Sequence, residues 1–158
     1  MPTFQRFSLV FLRITSGWLY FYAGITKVTD PEWTSVGYIK GAKTLANAFA
    51  WFLNPQVLPV VDFLVKWGLV ALGVSLLLGL FVRLSSYLGI LLMLLFYLPV
   101  LSFPMAGAHS FIIDEHIIYI AGLLVLANFK AGHVWGLEKW CSNLPICSKY
   151  PKFRSWLG

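Results

Sequence analysis

Residues 60–103 read VVDFLVKWGLVALGVSLLLGLFVRLSSYLGILLMLLFYLPVLSF, with three charges, Asp62, Lys66 and Arg83, in the whole stretch. It divides into two apolar segments, 60–81 and 84–103, each near the ~20 residues that cross a bilayer core as a helix. The turn around Phe81-Val82-Arg83 is very short, so the two helices are antiparallel neighbours. Ser85 or Ser86 is placed to cap the second of them. Pro99 and Pro104 end or kink it. Its interior carries no charge, which suits a helix that faces lipid or serves packing alone.

Working outward, residues 7–26 and 112–129 are apolar runs of the same kind. The chain has 158 residues, 59% of them hydrophobic and 11% charged. A soluble domain is nearer ~25% charged. The expected fold is therefore all-α, a polytopic membrane four-helix bundle that occupies residues 1–158 as one domain. The net charge of +6 follows from the topology bias of Lys and Arg, and no feature points to nucleic acid. Residues 7–24 hold Arg13 in their middle and lack a small-x-small cleavage site, so they read as a retained first span.

Seven cations (Arg6, Arg83, Lys130, Lys139, Lys149, Lys152, Arg154) fall on one side of this topology and three (Lys27, Lys40, Lys43) on the other. That bias places both termini in the cytoplasm, in a prokaryotic inner membrane. In the long 27–59 connection, Lys40, Lys43, Thr44 and Asn47 share one helical face. Tyr38, Ala42, Leu45, Phe49 and Phe52 share another. The pattern gives an outer interfacial amphipathic helix or, equally, a helix packed over the mouth of the bundle. Residues 131–158 read as an amphipathic tail along the inner interface, with Trp135, Trp140, Phe153 and Trp156. Cys141 and Cys147 lie in that tail, where the cytoplasm keeps thiols reduced.

Charges inside apolar segments are expensive and mark function or a protein-facing surface. Arg13, Gly17, Tyr20, Gly24 and Lys27 form one stripe of the first helix. Its glycines permit close approach of another helix. Asp62 and Lys66 are i, i+4, the order that favours an intrahelical ion pair. Asp114 is placed to cap the last helix, and Glu115 aligns with Tyr119 and Gly122 on a bundle-facing stripe. Glu115, His116, His109, Lys27, Asp62 and Lys66 all reach the outer end. A carboxylate, a histidine and a lysine there suit a quinone head group and proton exchange with it. The same residues suit an anion, or simply hold the helices together. His109 and His116 have no partner motif for a metal, and no flavin, haem or iron–sulfur motif is present.

Three stretches resemble the DoxX/DoxD family of small membrane proteins. They are Leu12-Arg13 through Gly17 to Gly24-Ile25-Thr26-Lys27, then Leu78-Gly79-Leu80-Phe81-Val82-Arg83-Leu84, then Asp114-Glu115-His116 on to Gly132 and Gly136-Leu137-Glu138. The resemblance implies a four-helix membrane protein, similar to the small membrane subunit of thiosulfate:quinone oxidoreductase. Lys27, Arg83 and Glu115 match the family's polar positions, whereas Lys66 stands where relatives often carry an acid. On this reading Glu115 and His116 are catalytic. Lys27, Asp62, Lys66, His109 and Tyr119 bind quinone or substrate, and Arg13, Arg83 and Asp114 are structural. Membrane lipids and other membrane or membrane-associated subunits are the expected partners. The alternative is a non-catalytic accessory subunit of a larger membrane complex.

Overall fold

The computed structural model describes residues 1–107 and 109–141. Among them every regular element is helical: α1 (Thr3–Thr29), α2 (Val36–Lys40), α3 (Ala46–Ala50), α4 (Leu58–Leu78), α5 (Val82–Val100), α6 (Glu115–Asn128) and α7 (Glu138–Cys141). Short 3₁₀ turns occupy Trp51–Leu53 and Ala131–His133. α1 packs along α4, α5 along α6, and weaker seams join α4 to α5 and α1 to α6. Tyr20, Leu69, Leu72, Leu76, Val82, Leu123 and Leu126 are buried where the four long helices meet.

Four residues of the α1 stripe predicted from the sequence, Arg13, Gly17, Tyr20 and Gly24, are buried, joined by Leu9, while its fifth, Lys27, is half-buried. At Gly17 and Gly24 a Cβ would lie 2.9 Å from the Leu77 amide nitrogen and 2.6 Å from that of Val70. Gly73 of α4 meets the Phe21 backbone in the same way. Small residues on both helices thus bring the two backbones together.

α4 and α5 are both long and apolar enough to cross a membrane. Their outward side chains are apolar and exposed, among them Phe63, Leu64, Trp67, Leu88, Leu91 and Leu95. α1 has the length, 27 residues, but Arg13 and its many aromatic, Ser and Thr residues make it less apolar. The expected span 112–129 is shorter than read. Asp114 caps α6, which then has 14 residues, or about 21 Å of rise, against a ~30 Å core.

Other local expectations are also revised. Phe81, in a left-handed conformation, takes the N-cap position of α5. Ser86 bonds back to the Val82 carbonyl and Ser85 meets Ser75, so neither serine caps. α4 ends at Gly79, whose φ of +65° suits a residue without a Cβ. Pro99 does close its helix as expected: α5 stops at Val100, the residue after it.

The single amphipathic helix expected near residues 38–52 is two short helices, broken at Leu45, which has φ +55°. The break lets the segment satisfy the end of α5, whose last carbonyls have no partner within the helix. The Tyr38 hydroxyl donates to the Phe96 carbonyl, the Lys43 amide to Pro99 and the Thr44 hydroxyl to Leu101. Ile39 and Phe49 are buried beneath it. The segment therefore packs over the helix ends, the second of the two arrangements its pattern allowed.

Residues 131–138 also depart from the interfacial tail expected for them. Ala131, Gly132 and Glu138 are buried, and the Leu137 and Glu138 amides donate to the carbonyls of Leu78 and Gly79. The rest of the tail, with Cys147, Phe153 and Trp156, and the side chain of Cys141 lie outside the described residues.

Candidate functional site

Polar side chains gather at both ends of the helices. At one end Arg13 is 2% exposed. Its guanidinium donates to three backbone carbonyls, Ala131 at 2.6 Å, Val134 at 2.9 Å and Trp135 at 3.2 Å. Gly79 and Gly136 close around it, since a Cβ on either would come within 3 Å of a guanidinium nitrogen. Glu138 is buried beside this node, its carboxylate against Gly132 and 3.7 Å from His133 Nδ1. The terminal nitrogens of Arg13 are thus satisfied while its Nε is buried without a partner, and the nearby Glu138 carboxylate supplies the opposite charge that a buried cation needs. Arg83 stands half-buried in the first turn of α5.

At the opposite end the structure forms two groups, not the single convergence expected. The first is an open cavity of about 450 Å³ lined by Tyr38, Val100, Ala106, Ser110, Asp114, Glu115 and His116. Asp114 caps α6 by accepting from the amides of His116 and Ile117. Its other oxygen is 2.7 Å from His116 Nδ1. The His116 ring also meets the ring of Phe96 edge-on. The carboxylate fixes the orientation of the imidazole through Nδ1. Glu115 is exposed at the cavity wall. The Tyr38 hydroxyl is pushed up to about 12 by burial and by the charges of Asp114 and Glu115. Tyr119, one turn into α6, packs edge-on against Tyr20. His109 is exposed in the preceding segment and does not line this cavity.

The second group comprises Lys27, Asp62 and Lys66. The two ammonium groups lie 5.7 and 5.3 Å from the centre of the Trp33 ring. Asp62 accepts from Thr34 Oγ1 and from the amide and hydroxyl of Ser35. These three residues do not line the His116 cavity.

Trp33, Ser35 and Glu138 were not assigned to a site from the sequence. Trp33 carries no helical periodicity that would mark it. Thr34-Ser35 offered one signal, since hydroxyl pairs in loops seek carboxylates.

Among the described residues the chain is all-helical, with two helices long and apolar enough to cross a membrane and with glycines at the seam between α1 and α4. Compared with known families, residues 8–102 match DoxX, and the chain belongs to the DoxX family. The match covers the first two of the three resembling stretches, and the third is joined to them in space through Arg13. Neither the curated proteins nor the solved structures give a match.

Proposed function

We propose that the chain is an integral membrane subunit of a quinone-linked oxidoreductase, similar to the small subunit of thiosulfate:quinone oxidoreductase. α1, α4, α5 and the shorter α6 form a bundle in a prokaryotic inner membrane, the segments flanking α6 completing its passage, with both termini cytoplasmic. The exposed apolar faces of α4 and α5 support the insertion, because contiguous apolar surface of that extent is unusual in water. The Lys/Arg bias supports the orientation.

The observation that carries the chemistry is the His116–Asp114 pair at 2.7 Å in an open cavity beside Glu115. Quinone reduction takes two electrons and two protons. Electrons reach the quinone from a partner subunit or from substrate, because the chain has no flavin, haem or iron–sulfur motif. Protons pass at the His116 imidazole, and Glu115 exchanges them with solvent. Glu115→Gln and His116→Gln are expected to lower turnover per assembled complex on the order of 10²-fold, the lower range for a lost general acid or base. Normal turnover in both variants would refute the catalytic reading.

The second reading, a non-catalytic accessory subunit, is favoured by Arg13 and Asp62. Both are engaged in holding segments of this chain in place. It expects normal turnover per assembled complex and a loss only in the amount assembled.

A further inference from the structure

Asp62 and Lys66 have the spacing of an intrahelical ion pair, yet the structure separates their roles. The Asp62 carboxylate is turned to Thr34 and Ser35. The Lys66 ammonium lies instead against Trp33, where Lys27 arrives from α1. Among the described residues, neither ammonium has a carboxylate oxygen within 4.0 Å. Lys27 gives one N–H to the Ala23 carbonyl, and each ammonium has three to give. Both ammonium groups lie within 6 Å of the centre of the Trp33 ring, so an anion seated beside that ring is attracted by both.

Below the lysines α4 presents an apolar surface. Phe63, Trp67, Val74 and Leu78 recur at steps of four, seven and four, so they form one stripe along the helix, and all four are exposed. Phe63 lies three residues before Lys66 and is its neighbour on the helix surface. Two cations against one indole, at the head of an apolar stripe, are complementary to a molecule with an anionic head and hydrocarbon chains.

We propose that Lys27, Lys66 and Trp33 form a binding site for the phosphodiester head of an anionic phospholipid, whose acyl chains lie along Phe63, Trp67 and Val74. The site rests on the membrane placement proposed above and is independent of the quinone chemistry. Phosphatidylcholine is a poorer ligand, because its own ammonium opposes the two lysines.

The test uses the full chain in a neutral detergent. Its thermal unfolding midpoint is followed during titration with dioctanoyl phosphatidylglycerol, dioctanoyl phosphatidylcholine or inorganic phosphate. Phosphatidylglycerol is expected to raise the midpoint saturably, and the other two much less. In Lys27→Gln/Lys66→Gln the half-saturating concentration is expected to rise about 10- to 100-fold, the range for lost hydrogen bonds between charged groups. Lys27→Arg/Lys66→Arg should retain binding. If the double glutamine variant does not fold, Lys66→Gln alone, at a half-exposed position, should show at least a several-fold rise. Stabilisation by inorganic phosphate alone, equal effects of the two lipids, or an unchanged midpoint response in the glutamine variants would overturn the site. A chain that stays monodisperse without detergent would overturn the membrane placement. A detergent-dependent chain indifferent to phosphatidylglycerol would overturn this site only.

Discussion

Replacing Arg13 by Met keeps the length of the side chain and removes its charge and its donors. Three carbonyls, those of Ala131, Val134 and Trp135, then lose the guanidinium, with only Ala131 keeping a second donor, the Val134 amide, and Glu138 loses the cation beside it. A buried acceptor left without a donor costs about 1–3 kcal/mol. These losses together exceed what residues 131–138 can bear in place, so the segment lifts off and hydrates its carbonyls. The expected loss is therefore the docking energy of that segment, about 3–5 kcal/mol, as for other broken buried charge networks. Two amides report it directly: Leu137 donates to Leu78 at 3.1 Å and Glu138 to Gly79 at 3.0 Å. At about 1.4 kcal/mol per factor of ten, their hydrogen exchange should accelerate roughly 10²- to 10³-fold, while amides in the middle of α4 and α5 change far less. Arg13→Lys keeps the charge but lacks the planar fork, and should fall between. If both amides keep their protection in Arg13→Met, the guanidinium does not hold the segment and the reasoning fails.

Further outcomes are expected elsewhere. Tyr38 ionises near ~10 in an unfolded chain and at about 12 in the folded one. Its contribution to stability is thus complete below pH 10 and lost as pH rises towards 12. Denaturation midpoints for the native chain and Tyr38→Phe should converge over that interval, and parallel slopes would contradict the assignment. Gly73→Val forces a side chain into the Phe21 backbone and should cost about 1–3 kcal/mol or more in thermal unfolding. Asp62→Ala should cost about 1–3 kcal/mol through its loop hydrogen bonds. Lys66→Ala should cost under about 1 kcal/mol. A double-mutant cycle between them should give a coupling below about 0.5 kcal/mol, and a larger value would restore the ion pair.

Periodicity made the long helices legible, because burial of one face imposes a spacing that survives in any sequence. The Arg13-Gly17-Tyr20-Gly24 stripe is buried as its spacing required. Periodicity could not show what Arg13 touches, since its acceptors are main-chain carbonyls that any residue supplies. It also joined Tyr38 to Phe52 into one helix. The open carbonyls of α5 outweighed the helical propensity there, and the chain bends at Leu45 to reach them. The i, i+4 spacing of Asp62 and Lys66 was a sound local reading, but Thr34 and Ser35 offered the carboxylate three hydrogen bonds from a distant part of the chain. At the other group, the adjacency of Asp114 and His116 was visible in the sequence. The cavity was not, because Tyr38, Val100 and Ala106 come to it from three separate segments.

The acceptors of Arg13 have a consequence for the order of biosynthesis. Arg13 leaves the ribosome 118 residues before Ala131, the first of its three acceptors. Until those acceptors arrive, α1 carries a cation without them, however well α4 and α5 have paired. A nascent chain cut between Asn128 and Ala131 contains every long helix and still lacks the carbonyls that accept from Arg13. The node around Arg13 is therefore completed only after α6 has been made, and it ties the first long helix to a segment that follows the last one.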